Sequence, residues 1–206
     1  MAELTNMRII SIEELEENLG VNKLPSFIES CEADFIRRTE SIAARIAACP
    51  EIKAVFVSGP TSSGKTTFSK RLAAALTRTG VNTHLVSMDD YYQMKEISYD
   101  DWGRPDFESI ETLDVELMLG QLSDLFAGKP VSLPEFDFVS RSRKWPQERL
   151  VRLGERELVI VEGLHGLSPL VSGQLDHHQY FGIFIRPWCS FLDGRQLLGF
   201  YIPTRR

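Results

Sequence analysis

The run Gly59-Pro60-Thr61-Ser62-Ser63-Gly64-Lys65-Thr66 fits the pattern G-x-x-x-x-G-K-[ST] without a substitution. Glycine at both ends lets the backbone curl until successive N–H groups converge on one anion. Residues 54–58, Ala-Val-Phe-Val-Ser, read as a buried strand entering this loop. Residues 67–79 read as a helix leaving it, closed by Gly80. The start of that helix adds a partial positive charge to the same anion site. Strand, glycine-rich loop and helix in this order predict a nucleotide cradle made of residues 59–67: Gly59, Pro60, Thr61, Ser62, Ser63, Gly64, Lys65, Thr66 and Thr67. In such a cradle Lys65 is expected to reach the β- and γ-phosphates, and the Thr66 hydroxyl to ligand Mg²⁺.

The loop implies a fold. From residue 51 onward apolar runs alternate with helical patterns. Residues 83–87 read as a second strand and 110–126 as a helix stopped by Gly128 and Pro130. Residues 131–133 form a short extended piece, 158–161 a continuous apolar run, and 180–185 a further strand. Alternation of this kind predicts an α/β fold of the P-loop NTPase type, a doubly wound parallel sheet with helices on both faces. Residues 1–50 read as a helical N-terminal extension, and 51–206 as the nucleotide-binding domain. Capping-box spacing starts helices at Ser11 and at Ser26. The second carries Phe27, Ile28, Cys31, Phe35, Ile42 and Ile46 roughly on one face, and Pro50 ends it.

Composition narrows the partners. The formal charge is −6, so anion binding must be local rather than the work of a basic surface, and nucleic-acid or anionic-membrane binding is not expected. Trp102, Trp145 and Trp188 are scattered and make no stacking platform. Cys31, Cys49 and Cys189 are too few for a disulfide framework or a zinc site, and predict free thiols in a reducing, cytoplasmic setting. No apolar run approaches membrane-spanning length. His177-His178 lies in a polar stretch and reads as loop.

Ligands of doubly wound sheets bind beyond the carboxyl ends of the strands. The second strand delivers Asp89, Asp90, Tyr91 and Tyr92 there, and the third delivers Glu162 and Gly163. A phosphate clamp with two acidic positions beside it suits phosphoryl transfer. One carboxylate can take a hydroxyl proton, and another can hold Mg²⁺.

At these residues the chain resembles the uridine kinase and phosphoribulokinase family of P-loop kinases. The likeness is carried by Gly59 to Thr66, by Ser87-Met88-Asp89-Asp90-Tyr91-Tyr92, by Leu133-Pro134-Glu135-Phe136-Asp137-Phe138-Val139-Ser140-Arg141-Ser142-Arg143 and by Val159-Ile160-Val161-Glu162-Gly163-Leu164. Uridine kinases show D-S-F-Y, P-x-Y-D-F-x-x-H-x-R and E-G-I in the same order. A subgroup in which the kinase-like domain follows an N-terminal extension shows D-D-Y, D-F-E-S and E-G-h-H-G-L. Asp106-Phe107-Glu108-Ser109 and Glu162-Gly163-Leu164-His165-Gly166-Leu167 match the last two. The resemblance implies ATP and Mg²⁺ as cofactors and a small-molecule alcohol as acceptor. It implies Asp89 as general base and metal-side carboxylate, Lys65 as phosphate-binding catalytic cation, and Thr66 with Glu162 at the metal. Tyr91 and Tyr92 become walls of the acceptor site, though aromatics there also serve as core. Phe136, Asp137, Arg141 and Arg143 belong to the acceptor-side segment, where an arginine holds either substrate or a surface partner.

Departures accompany the match. Phe136 and Arg141 stand where uridine kinases carry a tyrosine and a histidine, Asp90 replaces a serine, and Asp101-Trp102-Gly103-Arg104-Pro105-Asp106 replaces an N-F-D-H-P-D-like segment. The family continues into an arginine-rich lid and a fifth strand. Here Arg195 lies before that lid, and Thr204-Arg205-Arg206 is too short to form one. Residues 197–202 or a second subunit, making a homo-oligomer, are expected to cover the open sheet edge. Two functions compete on these grounds: an ATP-dependent kinase for a nucleoside or sugar-like alcohol, and a nucleotide-binding regulatory or vestigial relative with little transfer activity. A GTPase switch lacks its N-K-x-D signature, since Asn22-Lys23-Leu24-Pro25 lies upstream of the loop and ends in proline.

Overall fold

The structure, a computed structural model, describes residues 10–20, 22–93, 103, 108–186, 190–193 and 196–199. In chain order its elements begin with β1 (Ile10–Ser11), α1 (Ile12–Asn18), α2 (Leu24–Ala47), β2 (Ala54–Ser58), α3 (Lys65–Arg78) and β3 (Asn82–Ser87). Next come α4 (Val115–Phe126), β4 (Val131–Ser132), β5 (Glu135–Asp137), β6 (Ser142–Lys144), β7 (Leu150–Val151) and β8 (Glu157–Gly163). The last are α5 (Pro169–Ser172), β9 (Tyr180–Phe184), β10 (Ser190–Asp193) and β11 (Gln196–Gly199).

Contacts divide the chain into two units, residues 39–185 and residues 1–38 with 186–206. The first cut falls inside α2 and the second after Ile185. In the larger unit four strands lie in the order β3-β8-β2-β9, all parallel. Parallel neighbours need crossovers, and α3, α4 and α5 lie on the three that join them. The sheet is covered on both faces, as period-two alternation requires. Ala54 and Phe56 of β2 pack with Met118, Leu122 and Leu125 of α4, while Val55 and Val57 pack with Leu72 and Leu76 of α3 and with Ala43 and Ile46 of α2. All five residues of β2 are buried, and so are Leu158, Val159, Ile160 and Val161 of β8. Each such branched or aromatic side chain contributes roughly 1.5–3 kcal/mol on burial.

Register sets the site. Ser58 of β2 stands opposite Gly163 of β8, and Ser87 of β3 stands opposite Glu162. The ends of three strands are therefore level, and the segments that follow them open on one side of the sheet.

Some expectations shift. Ser11 caps α1 by accepting from the Glu14 N–H, as its capping box predicts. Ser26 does not start α2. The helix begins at Leu24, and the Ser26 hydroxyl donates instead to the Lys23 carbonyl. On α2 only Thr39, Ala43 and Ile46 are buried, while Ile28 and Phe35 of the expected face stay exposed. The helix expected over 110–126 is a 3-10 turn at Ile110–Thr112 followed by α4, because Asp114 caps α4 with its side chain. Among the described residues no helix is long and apolar enough to cross a membrane. Cys31 and Cys49 form no disulfide among the described residues, and Cys189 lies outside them.

In the smaller unit β1 pairs with β10 in parallel, and β10 with β11 antiparallel. The edge covering expected of residues 197–202 extends outside the described residues, as do Arg195 and the segment 204–206.

Candidate active site

The loop between β2 and α3 has the backbone that a curled anion cradle needs. Ser62 adopts φ 62° and Gly64 φ 86°, both left-handed. Gly59 has no room for a side chain, since a Cβ there would lie 2.4 Å from the Ile185 carbonyl oxygen. The Ile185 N–H donates to the Ser58 carbonyl at 2.7 Å, which fixes that approach. The Lys65 ammonium donates to the Pro60 carbonyl at 2.9 Å and so folds over its own loop. The Ser63 hydroxyl is buried and has no partner, a donor left over inside the loop. These features fit a polyphosphate.

Residues 61–67 form one wall of a cleft of about 650 Å³. Asp89, Tyr92, Glu108, Thr112, Glu162 and His165 lie on its other walls. Thr66 donates to Glu162 Oε1 at 2.9 Å, joining the first turn of α3 to the end of β8. Hydroxyl and carboxylate oxygens side by side are the donors a hard cation takes, so this pair fits Mg²⁺. Asp89 sits on the 3-10 turn Met88–Tyr91, which Ser87 caps by accepting from the Asp89 N–H at 3.3 Å. The turn can lie against β8 because residue 163 is glycine. A Cβ there would come within 2.6 Å of the Met88 side chain. Asp89 reaches water in the cleft, yet the surrounding walls strip enough hydration to raise its pKa, aided by Asp90 and opposed by Lys65 and His165. The Tyr92 phenol is pushed up to about 12 by burial and by the charges of Asp89 and Glu108.

Other expected acceptor-side residues fall elsewhere. Tyr91 is not a wall of the cleft. It is buried in the core, and its hydroxyl donates to Gln121 at 2.8 Å. Burial raises its pKa further than that of Tyr92. Asp137 organises the β5–β6 hairpin instead of facing the cleft. It accepts from the Val139 and Ser140 N–H groups and pairs with Lys144, contacts that hold its carboxyl well below the usual range. Arg141 is an exposed turn residue at φ 49°. Arg143 is consumed by Asp114 and by the carbonyls of Tyr91 and Tyr92. Phe136 packs tilted against Tyr92 and edge to face with Phe138, at centroid distances of 5.6 and 5.1 Å. The substituted segment 101–106 lies outside the described residues except for Gly103.

Sequence reasoning passed over two groups. Glu108 accepts from the Thr61 hydroxyl at 2.8 Å, which ties the cleft wall to the phosphate loop. His165 donates to the Glu108 carbonyl at 2.6 Å and holds the same segment. Glu108 belongs to the D-F-E-S stretch and His165 follows Glu162-Gly163, so both stood inside noted motifs; their partners lie 47 and 57 residues away. His177 and His178 are indeed turn residues, at the other end of the strands. With Asp176 they form an exposed group whose ligand atoms lie within 4.8 Å of one another.

The chain is 30% identical over 126 residues to uridine-cytidine kinase C of Dictyostelium discoideum, a match covering 59% of this chain and 25% of that protein. It is 33% identical over 122 residues to the inorganic pyrophosphatase TTM2 of Arabidopsis thaliana, covering 59% of this chain and 16% of the relative. A uridine kinase of Streptococcus agalactiae is 25% identical over 109 residues, covering 52% of this chain and 50% of the relative. The chain thus spans half or less of the length of these relatives. A solved structure described as a possible uridine kinase from Bacillus stearothermophilus superposes with a TM-score of 0.52 at 24% identity, covering 65% of this chain and 70% of that one, and shares the fold. The pattern of the phosphoribulokinase / uridine kinase family matches residues 54–188, more than half of the chain. With its parallel sheet, its glycine-rich loop and this match, the chain belongs to the phosphoribulokinase / uridine kinase family.

Proposed function

We propose that the protein transfers the γ-phosphoryl group of ATP to a hydroxyl of a nucleoside or a related sugar-like alcohol. One observation carries the reading: the phosphate loop, the Thr66–Glu162 oxygen pair and the Asp89 carboxylate share a single cleft. In this reading loop residues 59–67 grip the triphosphate, and Lys65 leaves the Pro60 carbonyl to neutralise phosphate charge. Thr66 and Glu162 hold Mg²⁺, with Asp89 on the same side; the bound ion offsets the charge of the phosphates. Asp89 accepts the proton of the attacking hydroxyl. Its raised pKa suits that role, because a base works best when its pKa approaches the working pH. Tyr92, Glu108 and Thr112 line the space left for the acceptor.

The test is a panel of nucleosides and sugar alcohols incubated with ATP, Mg²⁺ and the protein, with phosphorylated product followed by mass spectrometry. One nucleoside or sugar alcohol is expected to turn over well above the rate of ATP hydrolysis. Tight ATP binding without transfer to any alcohol would replace this reading with that of a nucleotide-binding relative without transfer activity.

A further inference from the structure

Asp89 and Asp90 are neighbours on one tight turn, yet they do different work. Asp89 faces the cleft. The Asp90 carboxylate is occupied at both oxygens: Oδ1 accepts from the Phe136 N–H at 3.2 Å, and Oδ2 accepts from the Arg149 guanidinium at 2.8 Å. The two side chains are only 17% and 22% exposed, so the pair is mostly withdrawn from water. Arg149 also donates to the Pro134 carbonyl, and its own carbonyl accepts from the Leu133 N–H at 3.0 Å. One acidic side chain thus gathers the entry to β5 and the 3-10 turn Gln147–Arg149 onto the turn that carries Asp89.

The hairpin depends on that attachment. Its strands have three residues each, too few for a two-stranded unit to hold an orientation alone. Its tip offers no core: Phe138 is 62% exposed and Val139 is 97% exposed. Its base is tied twice to the same turn, by Asp90–Arg149 on one side and by Arg143 donating to the Tyr91 and Tyr92 carbonyls on the other. Between the ties Phe136 packs tilted, and Phe138 edge to face, against Tyr92, which lines the cleft.

We propose that the Asp90–Arg149 pair is a positioning device that locks the β5–β6 hairpin to the Asp89 turn, so that the aromatic wall and the cleft carboxylate move as one body. Its kinetic consequence rests on the phosphotransfer reading; the mechanical coupling does not. Asp90 and Arg149 touch no reacting atom in this scheme and act through Asp89 and Tyr92.

The experiment compares full-length Asp90→Asn, Arg149→Gln, their double variant and Arg149→Lys with the parent chain. Amide exchange is expected to quicken together at Phe136 and at residues 88–92 in both single variants, because local opening reports the loss of a shared tie. For an acceptor found in the panel, kcat for transfer is expected to fall about tenfold or more in each single variant, since a displacement of about an ångström has effects of that size. ATP affinity stays within about twofold, and the double variant is no slower than the worse single, as groups acting as one unit require. Arg149→Lys keeps the charge and recovers most of the rate. A purely structural pair would lower ATP affinity and transfer in parallel. Faster exchange in the hairpin alone, unaltered kcat, or a double variant slowed by the product of the singles would overturn the proposal. Should the parent phosphorylate nothing in the panel, the functional reading fails by itself, and the exchange pattern still decides whether hairpin and turn are coupled.

Discussion

The two walls of the cleft are built by different means. The loop wall is one continuous stretch: residues 59–67 leave β2 and enter α3, and their curl comes from backbone angles at Ser62 and Gly64. The opposite wall is assembled from the Asp89 turn, the segment around Glu108 and the end of β8, held by contacts that span 47 to 96 residues, with the hairpin tied on behind. The curl of the first wall is set by its own backbone, with Ile185 fixing only its entry at Ser58 and Gly59. A wall encoded by distant pairs can be re-tuned by changing a partner.

The sharpest test of the comparison sets one residue of each wall against the other. Lys65→Ala removes the cation of the loop and is expected to reduce nucleotide turnover by about a thousandfold or more, with ATP affinity falling as well. Asp89→Asn removes the proposed base and is expected to lower transfer by about a hundredfold to ten-thousandfold while ATP affinity holds. Transfer rates and equilibrium ATP binding, measured on the same preparations, separate the two. Full transfer activity in Asp89→Asn would take the base role from Asp89, and loss of ATP binding there would erase the division between the walls.

The same division explains what could be read from the chain. The loop, the buried strands and the strand-end acids Asp89 and Glu162 were legible, since periodicity and local motif determine them. Neighbouring side chains were not. Asp89 and Tyr91 are two residues apart in one motif, but on a 3-10 turn they point to opposite sides, one to the cleft and one to the core. Arg143 and Asp137 read equally well as substrate contacts, because spacing does not reveal that Asp114 and Lys144 already occupy them. Glu108 needed Thr61 and His165 to show its place.

A smaller effect checks the correction at Tyr91. Tyr91→Phe deletes the hydroxyl that donates to Gln121, while Gln121 keeps its own bond to the Ser132 carbonyl. The expected loss is about 1 kcal/mol of stability in denaturant unfolding, with the KM of the acceptor unchanged. An acceptor KM raised severalfold at intact stability would return Tyr91 to the cleft wall.

The smallest effect lies at the far end of β8 and supplies the control. Glu157 accepts from the Gly154 N–H at 3.0 Å and lies 3.4 Å from His84. The backbone bond, then the imidazole, hold its carboxyl below the ordinary glutamate range against a small cost of burial. A carboxylate whose folded pKa is depressed stabilises the fold at pH values above its unfolded pKa, about 4.3, and loses that contribution as pH falls through the folded one. Parent and Glu157→Gln are therefore expected to differ by less than about 1 kcal/mol at neutral pH and to converge in acid, as thermal unfolding at a series of pH values will show. Transfer and ATP affinity should not change, because Glu157 opens the strand whose other end carries Glu162, at the opposite end of the sheet from both walls. If Glu157→Gln altered transfer, the cleft walls would be coupled through β8 itself, and the independence of the loop wall would have to be given up.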